Sequence, residues 1–122
     1  IEFRSSDGFS ILVGRNNLQN DMLTLKTAMN YDMWLHVQKF AGSHTVIIAD
    51  RKEITETAIY EAACIAAYHS KAKDSSSVAV DYTLIKNVKK PTGAKPGKVI
   101  YNTYNTIYVT PDKSFVEKLI VE

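Results

Sequence analysis

The stretch that decides the fold class is Thr55-Glu56-Thr57-Ala58-Ile59-Tyr60-Glu61-Ala62-Ala63-Cys64-Ile65-Ala66-Ala67-Tyr68. Thr55 has the side chain to cap a helix, and Glu56 suits the positive end of its dipole. Ile59, Ala62, Ala63, Ala66 and Ala67 recur at helical spacing, so one face carries mostly small side chains and the helix can lie close against a sheet. A strand for that sheet follows the polar connection Lys71 to Ser77: Val78, Val80, Tyr82 and Leu84 alternate as one face. These two segments predict an α+β domain.

Working outward, Phe3-Arg4 and Phe9 to Val13 flank the turn residues Ser5-Ser6-Asp7-Gly8 and read as a hairpin. From Asn16 the period changes. Leu18, Met22, Leu25 and Met29 fall four, three and four residues apart, which sets an apolar stripe on a second helix, capped by Asn16 with Gln19 reaching back. Trp34 to Val37 and Thr45 to Ala49 are short strands joined through Ala41-Gly42-Ser43-His44. Lys86 to Lys98, with Pro91, Gly93, Pro96 and Gly97, is a loop by composition. Val99 to Val109 reads as a hairpin turning near Asn102 to Asn105, and Phe115 to Val121 as a last short helix or strand. The expected architecture is therefore a mixed, largely antiparallel β-sheet with two main helices packed on it.

At 122 residues, 45% apolar and 23% charged, the chain has the size and composition of one ordinary globular domain, 1–122. No apolar run approaches the roughly 20 residues that cross a bilayer. A lone cysteine, Cys64, forms no internal disulfide and reads as packing on the small-residue helix; with no opening signal segment, a cytoplasmic location is expected. The start at Ile1 and the apolar, acidic end suggest a domain cut from a longer protein. A net charge of +2 names no partner, so the distribution of charge has to.

Three constellations stand out. Lys86, Lys89, Lys90, Lys95 and Lys98 lie in thirteen residues without an acidic side chain, a patch suited to phosphates, although a solvated loop with incidental lysines has the same composition. Gly14-Arg15-Asn16-Asn17-Leu18-Gln19-Asn20-Asp21 surrounds a helix start with polar groups. There Arg15 could meet a phosphate and the amides of Asn17, Gln19 and Asn20 could meet base edges or hydroxyls; capping accounts only for Asn16 and Gln19. Asp32-Met33-Trp34-Leu35-His36 and Gly42-Ser43-His44 offer rings for stacking and Ser43 for a phosphate, against the competing reading of Trp34 as a core anchor and His36 as a structural histidine. His69, near a helix C-terminus, needs no functional role. No nucleophile elbow, phosphate loop or close-spaced metal pattern occurs, so no cofactor, metal or catalytic residue is assigned.

In order, Gly14 to Asp21 with Leu23-Thr24, Asp32 to His36, Gly42-Ser43-His44, Ala62-Ala63 to Ser70, Val80-Asp81-Tyr82 and Lys89-Lys90-Pro91-Thr92-Gly93-Ala94-Lys95-Pro96-Gly97 resemble the signature of the NFACT-R domain. In large members of that family the domain follows an N-terminal NFACT domain, a helix-hairpin-helix region and a coiled coil. The resemblance implies a non-catalytic RNA-binding module of a ribosome-quality-control factor. Its partners would be tRNA, large-subunit ribosomal RNA and other domains of the same chain, with no membrane. Such a factor would act on stalled large subunits and support C-terminal tailing of the nascent chain. It also implies RNA contact at Arg15, Asn16, Asn17, Gln19, Asn20, His36, Ser43, His44, Lys89, Lys90 and Lys95. Where the family usually has a proline before Gly-Ser-His, this chain has Ala41. Bacterial members were long labelled fibronectin-binding proteins, which keeps open an adhesive module with an extracellular-matrix partner. A small enzyme would need a deep pocket joining Asp32, His36 and His44.

Overall fold

Every ladder of the sheet is antiparallel; one face of its strands packs on a long helix and the other on the turn that follows the first helix and on a small separate strand pair. In the computed structural model, which describes residues 1–122, the elements run β1 (Glu2–Arg4), β2 (Ser10–Val13), α1 (Asn17–Met22), β3 (Met33–Val37), β4 (Thr45–Ile47), α2 (Glu56–Tyr68), β5 (Val78–Leu84), β6 (Val88–Lys89), β7 (Ile100–Tyr101), β8 (Asn105–Val109) and α3 (Lys113–Glu117). Six strands form the main sheet in the order β1-β2-β4-β3-β5-β8, while β6 and β7 pair apart from it. The domain is α+β.

The first face carries the larger core. Leu35 and Val37 of β3, Ile47 of β4, Ile11 and Val13 of β2 and Val78 and Val80 of β5 meet α2 there. Of the small-residue stripe, Ala62, Ala63, Ala66 and Ala67 are buried, with Ala58 beside them, as close helix-on-sheet packing requires, while Ile59 is half-buried at the margin of the core. Thr55 caps α2 by accepting from the Ala58 N–H at 3.1 Å. Glu61, though charged, is buried on this helix because it accepts from the Ser6 N–H at 2.7 Å and its hydroxyl at 2.8 Å. Cys64 is buried and free, and its surroundings raise its thiol pKa, so it stays protonated packing.

The second face holds a smaller core of Leu23, Trp34, Val46, Ile85 and Val88. Strand alternation puts Trp34 and His36 on this side and Leu35 and Val37 on the other. Trp34 is 1% exposed and is the anchor of this core, the plainer of its two readings.

Three expectations are corrected. The apolar stripe of the first helix does not face the core: Leu18, Met22 and Met29 are 72%, 59% and 75% exposed, whereas Asn20, Leu23 and Thr24 are buried. The helix also widens into a π turn over Leu23–Thr27, closed by the Ala28 N–H on Leu23 O at 2.9 Å. Val99 to Val109 is not a hairpin, because β7 pairs with β6 and β8 with β5. For the same reason the first part of the Lys86 to Lys98 segment is 3-10 turn through Asn87 and then strand β6, and only Lys90 to Val99 is loop. Lys113–Glu117 is helical, capped by Asp112, and the chain after it bridges Ile120 to Phe3 on the edge of β1.

Candidate nucleic-acid interface

The lysine loop and the polar helix start share one side of the molecule, and they touch. Asp21 of α1 accepts from the Gly97 N–H at 2.9 Å, and its other oxygen lies 3.3 Å from Lys90 Nζ. Gly97 has φ +84°, and a Cβ there would sit 2.6 Å from Asn17 Oδ1, so a glycine is needed both for the backbone conformation and for the close approach.

Beneath that contact lies a set of polar groups buried between α1, the Gly42-Ser43-His44 segment and the loop. His44 is 2% exposed. Its Nε2 lies 3.1 Å from the carbonyl of Gly97, which can only accept, so Nε2 carries the hydrogen and Nδ1 accepts from the Thr24 hydroxyl at 2.7 Å. Its backbone N–H donates to Asn20 Oδ1 at 3.1 Å. Burial, and then the neighbouring His36, push the His44 pKa down to about 4, so the ring is neutral at neutral pH. A Cβ on Gly14 would stand 2.1 Å from Asn20 Oδ1, which explains a glycine at that strand end.

His36 secures the same segment from the strand side. Its Nδ1 is 2.6 Å from Val37 O and its Nε2 is 3.2 Å from Gly42 O, while its ring stacks on Trp34 at 5.8 Å between centroids. Both nitrogens therefore face backbone rather than solvent.

These contacts sort the eleven residues singled out from the sequence. Arg15, Asn16, Asn17, Gln19, Lys89 and Lys95 are exposed and Ser43 is half-buried. Asn16 and Gln19 are partly occupied in capping: Asn16 Oδ1 accepts from the Gln19 N–H and Gln19 Oε1 from the Arg15 N–H, each at 2.9 Å. Asn20 Oδ1, the ring nitrogens of His36 and His44, and Lys90 Nζ are engaged by other groups of the protein. Lys90 Nζ donates to Lys95 O at 2.7 Å and Lys98 O at 3.1 Å in addition to its ion pair with Asp21. That pair is the one salt bridge in the molecule, which leaves the other loop lysines uncovered by acid.

A groove of about 610 Å³ opens beside the helix start, lined by Arg15, Asn16, Asn17, Asn20, Gly42 and Ser43 on one flank and by Tyr68, His69, Ser70, Lys71, Lys73 and Asp74 on the other. Lys71 and Lys73 were legible only as a polar connection, because they follow α2 and nothing in their spacing ties them to Arg15. The isolated bridge Gly42 to Ser70 makes that link. Asp81, named only within a motif, is also structural: buried on β5, it accepts from Gln38 Nε2 at 2.6 Å, Tyr101 OH at 2.6 Å and Thr106 Oγ1 at 2.9 Å. Burial and this carboxylate raise the Tyr101 pKa well beyond the usual phenol range. Asp32 accepts from the backbone N–H groups of Met29 and Ala49, both at 2.8 Å, so it opens on no pocket with His36 and His44. No three His, Cys, Asp or Glu side chains are placed to hold a metal, and no helix is long and apolar enough to cross a membrane.

Residues 1–103 match the family described as NFACT protein RNA binding domain. The chain is 55% identical over 117 residues to the Rqc2 homolog RqcH of Bacillus subtilis (strain 168), covering 96% of this chain and 20% of that protein. The Rqc2 homolog RqcH of Streptococcus suis is 42% identical over 118 residues, 96% of this chain and 21% of that protein. The chain thus spans about a fifth of the length of these curated relatives. A solved structure of the C-terminal part of the fibronectin/fibrinogen-binding protein from Streptococcus suis matches with a TM-score of 0.94 and 41% identity, over 98% of this chain and 48% of that one.

Proposed function

This chain belongs to the NFACT RNA-binding domain family, and from that premise we propose that it grips a structured RNA, tRNA or large-subunit ribosomal RNA, without catalysing a reaction. Phosphates meet Lys89, Lys95 and Lys98 on one side of the helix start and Arg15, Lys71 and Lys73 on the other. Asn17 and Ser43, between them, contribute hydrogen bonds to sugar or phosphate oxygens. The observation that carries this reading is the junction of Asp21 with Gly97 and Lys90, which sets two cationic surfaces side by side so that one polyanion can span both. Asn16 and Gln19 add amide donors at the rim.

Within a longer protein such as its RqcH relatives, the domain would serve ribosome quality control, holding tRNA on stalled large subunits in the cytoplasm while the nascent chain receives its C-terminal tail. A filter-binding series with unfractionated tRNA at rising salt tests the first step. Affinity should fall as a power of salt concentration, with a slope of several units for several phosphate contacts. Salt-independent binding, or none in either the chain alone or the longer protein, would refute it.

A protein-binding role is the second reading, and the exposed Leu18, Met22, Leu25 and Met29 give it a surface. It suits other domains of the same chain, or a matrix protein in the adhesive version. Saturable binding of immobilised fibronectin, abolished by Met22→Lys and unaffected by Lys95→Gln, would favour it over RNA.

A further inference from the structure

We propose that His44 is a positioning residue of the RNA-binding surface: through Gly97 it ties the lysine loop to α1 and to the Gly42-Ser43-His44 segment, so that the cations of the loop and of the groove are presented as one preformed surface. The proposal rests on the RNA-binding reading for its functional consequence and on geometry alone for its structural one.

Three hydrogen bonds radiate from His44: its backbone N–H to Asn20, and from the ring Nδ1 to Thr24 in the π turn and Nε2 to Gly97 in the loop. The ring thus joins the first helix to the loop. The loop is braced internally by Ala94 N–H to Pro91 O, Lys98 N–H to Lys95 O and the Lys90 ammonium on Lys95 O and Lys98 O, but Gly93 and Gly97 take positive φ and Lys95 and Lys98 are exposed, so its hold on the rest of the fold comes from Asp21 and His44. A loop of this kind would otherwise sample many arrangements, and ordering it on RNA would subtract from affinity. The tie works from both sides of Gly97, because His44 takes its carbonyl from the buried side while Asp21 takes its N–H from the surface side. The hydroxyl of Thr24 fixes which nitrogen of the ring faces the loop.

The test compares His44→Asn with His44→Gln in the 122-residue chain. Asparagine keeps a polar atom near the Nδ1 position but none that reaches Gly97; glutamine places an amide donor near the Nε2 position. In His44→Asn, hydrogen exchange at the amides of Gly97 and Lys98 should quicken at least about tenfold while Ile65 in α2 keeps its protection. Affinity for unfractionated tRNA should fall about tenfold with the salt slope unchanged, since no phosphate contact is removed. His44→Gln should restore most of both. Asp21→Ala releases the loop from its outer side and should give the same loop exchange without touching the buried histidine, which serves if His44→Asn does not fold. The idea is overturned if Gly97 exchange changes only in step with Ile65, if the loop is freed and tRNA affinity stays as it was, or if glutamine fails as fully as asparagine. Should the unsubstituted chain and the longer protein both fail to bind tRNA, the RNA reading falls, and the exchange data still decide whether His44 holds the loop.

Discussion

Neutralising Lys90 and neutralising Lys95 should have different consequences, although both lie in one cationic loop. Lys90 Nζ is 3.3 Å from the Asp21 carboxylate and donates to two loop carbonyls, with the two side chains 22% and 21% exposed. Lys90→Met leaves that carboxylate with only the Gly97 N–H and leaves the carbonyls of Lys95 and Lys98 without this donor. Hydrogen bonds to a charged group contribute about 1.5–3 kcal/mol each, and partial exposure screens the ion pair, so the whole loss should be about 2 kcal/mol. For a domain of this size that lowers Tm by about 8 °C. Lys95 is exposed and in no ion pair. Lys95→Gln should leave stability within about 0.5 kcal/mol and instead reduce the slope of log affinity against log salt by about 0.9 for a duplex phosphate, or about 0.7 for a single strand. Calorimetry and tRNA filter binding read the two effects separately. A Lys90→Met chain with unchanged Tm and a slope one unit lower, or a Lys95→Gln chain with an unchanged slope, would refute this division of the loop into internal and outward-facing lysines.

Acid should loosen the domain as pH falls from about 6.5 toward 4. The His44 pKa is lowered from 6.5 to about 4 by burial, so the unfolded chain binds a proton between those values that the folded chain does not. Its contribution is complete above about pH 6.5 and is lost as pH falls toward 4, about 3 kcal/mol in all, with the lowered His69 acting in the same direction; denaturant titrations at stepped pH would show it, and a flat profile over that range would contradict it. Tyr101→Phe removes the hydroxyl that donates to Asp81 at 2.6 Å and should cost about 2 kcal/mol by chemical denaturation, with Gln38 and Thr106 still paired to the carboxylate. Gly97→Ala forces a Cβ onto a backbone with φ +84° and against Asn17, and should cost about 1–2 kcal/mol; an alanine chain as stable as the parent would mean that the loop has a second conformation.

Much of the frame was legible because its signals are local. The Thr55 cap, the alanine face of α2 and the alternation of Val78 to Leu84 each specify one element through its own spacing, and each is met in the structure. The pairing of Val99 to Val109 was not legible in the same way. Its ends belong to different sheets, and Tyr101 is drawn away from β8 by Trp34 and the buried Asp81, which are far off in sequence.

The first helix carries the sharper lesson, since two periodic stripes run along it. The apolar one, Leu18, Met22, Leu25 and Met29, follows the usual rule for a buried face. The other, Asn17, Asn20, Asp21 and Thr24, has steps of three, one and three residues and is the stripe that meets the rest of the fold, with Asn20 and Thr24 buried and Asp21 half-buried. Turning polar atoms inward is unfavourable unless each finds a partner, and here each does: Asn20 on the His44 N–H, Thr24 on the His44 ring, and Asp21 on Gly97 and Lys90. The helix is therefore oriented by the polar groups that await it, and those groups come from the segments that carry the candidate site. A hydrophobic pattern read alone points the helix the wrong way, whereas a helical row of Asn, Asp and Thr facing a sequence with a buried histidine and a glycine-rich cationic loop has a physical reason to be inside. The outward apolar stripe is then available surface, and the side of the helix that fails the hydrophobic rule is the side that builds the candidate site.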